Sequence, residues 1–213
     1  MKRFGQAILA LFILGVAANA MFHYGFRPLG ENLLPEMQRN FQAHAAGIYT
    51  HVFAAVFALA LGPLQFSQRL RRTLPQLHRW LGRLYLGVGV LVGGLAGLYM
   101  AVLAWGGPVA KLGFASLALA WLYTGWRAYR AIRAGRVAQH RAWMVRNFSL
   151  TLAAVSLRIY LPLSMVAGID FGTAYPVIAW MCWIPNLLLA EAVWNRGRGG
   201  AAPVSASLQG PAG

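Results

Sequence analysis

Apolar runs of membrane length alternate with short basic or turn-forming segments along this chain of 213 residues. A transmembrane helix needs about 20 mostly apolar residues to cross a hydrocarbon core about 30 Å thick. Six runs approach or exceed that length. In chain order they occupy residues 7–22, 44–66, 78–105, 110–131, 142–168 and 176–194. The pattern therefore predicts an all-α integral membrane bundle with six transmembrane helices.

The segments around these runs divide the chain into four parts. The parts are an N-terminal anchor helix (1–22), an external connector (23–43), a five-helix membrane domain (44–195) and a disordered, Gly/Ala/Pro/Ser-rich tail (196–213). The first part also fits a signal sequence, because Lys2 and Arg3 precede an apolar stretch that ends in Ala18, Asn19 and Ala20. The later apolar runs favour an uncleaved anchor.

Composition excludes an ordinary soluble domain. Hydrophobic residues make up 59% of the chain and charged residues 11%, whereas soluble domains carry roughly 25% charged residues. The net charge of +15 raises the question of nucleic-acid binding. The basic residues, however, lie in short blocks between apolar runs, which is typical of membrane loops and not of a surface that follows phosphates. We therefore expect the lipid bilayer as a partner and no nucleic acid.

The distribution of basic residues predicts the orientation. Fifteen of the 19 lysines and arginines lie in segments on the same side as the N-terminus. Arg27, Arg39 and Lys111 lie on the other side, and Arg158 lies within a span. Cytoplasmic loops carry the excess of Lys and Arg. We expect both termini in the cytoplasm and the protein in a bacterial inner membrane.

A histidine followed by an arginine opens both the third and the fifth apolar run. These pairs are His78 with Arg79 and His140 with Arg141, and each is followed by a tryptophan, an arginine and an aromatic residue, Tyr85 in the first copy. Two histidines on facing helices can ligate heme iron, and nearby arginines can bind the propionates. These five residues are one candidate site, for heme b. The alternative is that both histidines meet lipid phosphate at the helix starts, with the tryptophans at the membrane interface.

Arg158 indicates a second candidate site. An arginine near the middle of a membrane is costly and faces a protein interior or a wet cavity. The sequence places His51, Tyr99 and Tyr160 in the same outer half of the bundle, and Pro162 leaves the carbonyl of Arg158 without its usual donor. A quinone or small anionic ligand could bind there. Alternatively, Arg158 pairs with freed carbonyls and tyrosines.

Glycines repeat at every fourth position in the third run, at Gly89, Gly93 and Gly97. Small residues at this spacing allow close packing of helices. A second interpretation is that they leave room for a flat cofactor such as a porphyrin or a quinone.

Five segments resemble a bacterial multi-span family known only as domain of unknown function 2306, over roughly residues 44–195. They are PLQF (63–66), HRWLGRLY (78–85), HRAWMVRN (140–147), LRIYLP (157–162) and WIPNLLLAE (183–191). The resemblance implies an integral membrane protein of several helices and no particular activity. In topology, the histidines on alternate helices are also similar to cytochrome b561-type electron carriers, which use two histidine pairs, whereas the fourth run here has no histidine.

Three functions follow from these observations. The first is a redox-associated membrane protein with a heme or quinone between its helices. The second is a transporter or permease-like protein whose site contains Arg158, and the third is a structural subunit without a ligand. The sequence shows no nucleophile beside a base, no P-loop and no pair of carboxylates, so we do not expect a hydrolase. The four acidic residues are too scattered for a carboxylate metal site, and the single cysteine, Cys182, excludes an internal disulfide.

Overall fold

The computed structural model describes residues 2–31 and 33–199, with side chains described between residues 7 and 192. This part of the chain is helical and contains no β-strand. The helices are α1 (Lys2–Phe26), α2 (Pro35–Ala43), α3 (Ala45–Gln65), α4 (Gln68–Thr73), α5 (Pro75–Leu84), α6 (Gly93–Val102), α7 (Gly107–Arg133), α8 (Val137–Thr151), α9 (Ala153–Val166), α10 (Phe171–Met181) and α11 (Ile184–Gly199), with a π-helical segment (Tyr85–Val92) between α5 and α6. The predicted all-α class is confirmed.

Five helical stretches among the described residues are long and apolar enough to cross a membrane. They are Ala7–Phe26, Ala45–Gln65, Pro75–Val102, Val137–Val166 and Phe171–Ala192. The run predicted as the fourth span forms α7, a helix of 27 residues. It is not one of the five, because Lys111 and the arginines near its end lower its hydropathy. The membrane bundle is therefore confirmed, while six spans with both termini on one side remain a prediction.

The ends of the chain differ in detail from the predicted parts. Helix α1 continues to Phe26, four residues beyond the predicted end of the anchor. The predicted connector contains the short helix α2, which begins with Pro35 at its N-terminus. Of the predicted disordered tail, residues 196–199 belong to α11, and residues 200–213 lie outside the described residues.

Three of the long stretches are interrupted. The third span changes from α-helix to π-helix at Tyr85 and back at Gly93. The stretch Val137–Val166 is interrupted at Leu152, between α8 and α9. The stretch Phe171–Ala192 is interrupted at Cys182 and Trp183, between α10 and α11. Interruptions of this kind inside a membrane occur where the backbone is buried in protein or lines a cavity. Two of these interruptions border the cavity described below, because Thr151 and Cys182 line it.

The glycine repeat of the third span packs against α3. A Cβ atom added at Gly89 would lie 2.8 Å from the Cβ of Ala58, and one added at Gly93 would lie 3.1 Å from the Cβ of Ala54. One added at Gly97 would lie 2.8 Å from the imidazole of His51. The absence of side chains thus allows the two helices to approach closely. The contact between the repeat and α3 therefore agrees with the first interpretation, in which the glycines serve close packing of helices.

Candidate functional site

A partly open cavity of about 500 Å³ lies between α1, α2, α3, α6, α7, α8, α9 and α10. Its lining is mostly apolar, with aromatic walls that include Phe114 and Trp121. A few polar side chains reach it from different helices, and these are Tyr24, Glu36, Asn40, His51, Thr151, Arg158 and Tyr175. An apolar cavity of this size with a few convergent polar groups is the usual form of a small-molecule site.

His51 has a defined orientation at this cavity. Its Nδ1 lies 2.8 Å from the carbonyl oxygen of Gly93, the first residue after the π-helical segment. A carbonyl oxygen can only accept a hydrogen bond, so Nδ1 carries the hydrogen in the neutral imidazole and Nε2 carries the lone pair. Gly97 leaves space for the ring, since a Cβ there would lie 2.8 Å from Nδ1 and Cε1. His51 therefore offers a hydrogen-bond acceptor in a fixed position.

Arg158 contributes a positive charge to the same cavity. Its Nη1 donates to the carbonyl oxygen of Ala154, one turn earlier in α9, at 3.0 Å. The acceptor is thus Ala154 and not the carbonyl freed by Pro162. The ion pairs formed within the described residues are Arg27–Glu31 and Arg146–Glu191. Arg158 therefore forms no ion pair with a described carboxylate, although Glu36 lines the same cavity. A cation held in an apolar cavity favours a ligand with an anionic or carbonyl oxygen.

The two tyrosines that were expected beside Arg158 lie elsewhere. The hydroxyl of Tyr99 lies 2.7 Å from Nδ1 of His44, and the residue is 48% exposed. Tyr160 is half-buried and packs against the core. Neither lines the cavity, whereas Tyr24 and Tyr175 do.

Sequence reasoning missed Tyr24 because it placed the end of the first helix at residue 22. The spacing of Val16, Ala20 and Tyr24, each four residues apart, puts them on one helical face. All three line the cavity. Extending the helix by one turn would have found this residue.

None of the five candidate heme residues lines this cavity. Nδ1 of His140 lies 3.0 Å from the carbonyl oxygen of Ala128, an arrangement that also orients metal-ligating histidines. Nδ1 of His78 is buried and has no hydrogen-bond partner among the described residues. Arg79 and Arg141 are exposed, and neither histidine lines this cavity or the groove between α1 and α9 described below. The described residues contain no group of three or more His, Cys, Asp or Glu side chains placed to hold a metal ion.

Tyr85, the fifth of these residues, belongs to a buried hydrogen-bond network. Its hydroxyl donates to Oδ1 of Asn147 at 2.8 Å and lies 3.0 Å from Oγ1 of Thr151. Nε1 of Trp121 donates to Oγ1 of Thr151 at 3.0 Å, and Nδ2 of Asn147 donates to Oγ1 of Thr124 at 2.8 Å. The network joins the third span, α7 and α8. Thr151 also lines the cavity, so the network supports one of its walls.

The second His-Arg motif continues into a packed cluster of charges and aromatic rings. The guanidinium of Arg127 lies 4.6 Å from the centre of the Trp143 ring, and that of Arg146 lies 4.8 Å from it. Arg146 also forms an ion pair with Glu191 of α11, in which Nη2 donates to Oε2 at 2.8 Å. These contacts stabilise the packing of α7, α8 and α11 at one end of the bundle.

Comparison with known proteins identifies a family. The model of the family described as predicted membrane protein (DUF2306) matches residues 48–194, which confirms the resemblance seen in the sequence. No curated protein and no solved structure matches the chain. A membrane protein with several apolar helices contacts the lipid bilayer.

Proposed function

This chain belongs to the family of predicted membrane proteins whose model it matches, and we propose that it binds a lipid-soluble quinone and its quinol in the cavity lined by Arg158 and His51. Such binding makes it a redox-associated membrane protein. The proposal rests on one observation: a donor without an ion pair among the described residues and an oriented acceptor face the same mostly apolar cavity.

The hydrogen-bond requirements of the two side chains match a quinone and quinol pair. Arg158 donates and therefore needs an oxygen acceptor, which the quinone carbonyl and the quinol oxygen both supply. Nε2 of neutral His51 needs a donor, which the hydroxyl of a quinol supplies. The quinol therefore satisfies both side chains, whereas an ionised carboxylate, like the oxidised quinone, would satisfy Arg158 and offer neutral His51 no hydrogen. A ligand that leaves a buried polar group unpaired loses about 1–3 kcal/mol.

The remaining walls suit the ring of such a ligand. Phe114, Trp121 and Tyr175 line the cavity, and aromatic side chains pack favourably against a flat ring by stacking or edge-to-face contact. The cavity volume of about 500 Å³ lies within the range of pockets that enclose a molecule of this size.

Heme binding is less well supported. Within the described residues, the carbonyl of Ala128 beside His140 is the one contact that favours it. Neither His78 nor His140 lines the cavity in which the polar side chains converge.

We also infer a topology for this function. Helix α7 forms a sixth transmembrane helix, both termini lie in the cytoplasm, and the protein resides in an inner membrane. The excess of basic residues on one side of the apolar runs supports this orientation. The cavity then opens in the outer half of the bilayer.

The test is a binding titration of the purified full-length protein in lipid nanodiscs. Decylubiquinone is added and the quenching of tryptophan fluorescence is followed, because Trp105 and Trp121 line the cavity. We expect saturable quenching, and a loss of affinity of at least about tenfold in Arg158→Ala, which corresponds to about 1.4 kcal/mol. His51→Leu should weaken binding of the quinol more than binding of the quinone. The matched control is Arg27→Ala, an exposed arginine outside the cavity.

Competition with decanoate separates the ligand classes. Absence of saturable quenching, or equal affinity in wild type, Arg158→Ala and His51→Leu, contradicts the proposal. Displacement of the quinone by decanoate at equal or lower concentration would instead favour an anionic lipid-like ligand, and with it the transporter alternative.

A further inference from the structure

A second space lies beside the cavity, on the lipid-facing side of α1 and α9. It is a mostly apolar groove of about 500 Å³. Its lining residues are Leu11, Phe12, Gly15, Val16 and Asn19 of α1 and Arg158, Leu161 and Pro162 of α9. Val16 and Arg158 line both the groove and the cavity. The two spaces therefore adjoin at these two side chains.

Asn19 is the unusual residue in this groove. It is exposed on a helix whose neighbouring side chains are exposed and apolar, among them Leu11, Phe12 and Leu14. No hydrogen bond to its side chain is formed within the described part of the chain, and an amide that faces hydrocarbon without a partner is costly. Together with Arg158, Asn19 provides a second polar group along an apolar path. Such a pair suits a molecule with a polar head and an apolar body.

The groove is open where α1 approaches α9. Helix α1 packs mainly against α3 and over a shorter stretch against α9. A Cβ atom added at Gly15 would have no heavy atom within 4 Å outside its own helix backbone. The space next to Gly15 is therefore free in the plane of the membrane.

We propose that this groove is a lateral portal through which the ligand moves between the bilayer and the cavity. This inference rests on the proposed function and specifies its substrate class, a molecule dissolved in lipid and not in water. The head passes Asn19 and is then held by Arg158, whose charge attracts an oxygen acceptor. The apolar side chains of α1 and α9 accommodate the body of the molecule during passage.

The test blocks the portal without altering the cavity. In Gly15→Phe the added ring has space in the groove, and Gly15 does not line the cavity. The matched control is Gly25→Phe, because Gly25 lies on the same helix, has equally open surroundings and does not line the groove. Stopped-flow fluorescence of the nanodisc-embedded protein with decylubiquinone measures the association and dissociation rates.

We expect both rates to fall by about tenfold or more in Gly15→Phe while the equilibrium affinity stays within about twofold. Gly15→Leu should slow both rates by less, and Gly25→Phe should leave them unchanged. Equal rates in Gly15→Phe and Gly25→Phe, or a loss of affinity in Gly15→Phe without slowing, overturn the portal. The proposed function fails separately, by the absence of saturable binding in the wild type or by unchanged affinity in Arg158→Ala.

Discussion

The hydroxyl of Tyr85 and the side-chain carbonyl of Asn147 lie 2.8 Å apart and join the third span to α8 within the core of the bundle. Both residues are completely buried, and Asn147 makes further bonds to the carbonyl of Trp121 and to Thr124. Each residue thus satisfies polar groups that have no access to water. This pairing is a structural role for Tyr85, which the sequence had suggested as a heme contact.

Asn147→Ala should therefore destabilise the protein. The substitution leaves the carbonyl of Trp121 and the hydroxyls of Thr124 and Tyr85 with fewer partners. The expected loss in free energy of unfolding is about 1–3 kcal/mol, or nearer 0.6 kcal/mol if membrane burial weakens the contribution of such bonds. Thermal unfolding in detergent measures it, with the lipid-exposed Asn19→Ala as the control. Equal midpoints in the two variants would contradict the role of the network.

Gly97→Ala should weaken ligand binding although residue 97 would carry only a methyl group. A Cβ there would lie 2.8 Å from the imidazole of His51, so the ring must move away from its position beside the carbonyl of Gly93. We expect the affinity for decylubiquinol to fall by about tenfold. The control is Gly87→Ala in the same span, where the added Cβ meets nothing within 4 Å. If both variants bind like the wild type, the position of His51 is irrelevant to the ligand.

Cysteine labelling should decide between five and six spans. In a Cys182→Ala background, Gln139→Cys lies in the exposed first turn of α8, at the end predicted to be cytoplasmic, and Lys111→Cys lies near the outer end of α7. A membrane-impermeant maleimide should label Lys111→Cys in intact spheroplasts and Gln139→Cys in inverted vesicles alone. Labelling of both positions from the same side would show that α7 does not cross the membrane.

A reduced-minus-oxidised absorption spectrum of the purified protein tests the heme arrangement. We expect no b-type spectrum that depends on His78 and His140, because neither histidine lines the cavity or the groove. The protein should be expressed with ample heme. A Soret band in the wild type that is lost in folded His78→Ala or His140→Ala would restore heme as the cofactor.

The helical class was predictable because length and apolar composition alone limit what can span a bilayer. The glycine repeat also indicated a contact, since small residues four apart form a continuous strip on a helix. The sequence also predicted that Arg158 and His51 lie at a similar depth in the membrane, because the two residues lie at comparable distances from the outer ends of their spans. Both residues line one cavity.

Other structural features could not be predicted from the sequence. The π-helical segment alters which residues of the third span face inward, and periodicity arguments assume a regular α-helix. The entry of Tyr24 into the cavity depends on one further turn of α1. The burial of Tyr85 in a hydrogen-bond network depends on partners supplied by α7 and α8, which no local pattern in the third span reveals.

Helix α1 lies outside residues 48–194, the part of the chain that matches the family. Five of the eight residues that line the groove nevertheless belong to it. The cavity wall formed by Arg158 thus comes from the shared part of the family, and the access route comes from this chain's own N-terminal helix. Relatives with a different first helix would lack Tyr24 at the cavity and most of the groove, and would differ in how fast, and from where, the cavity is filled.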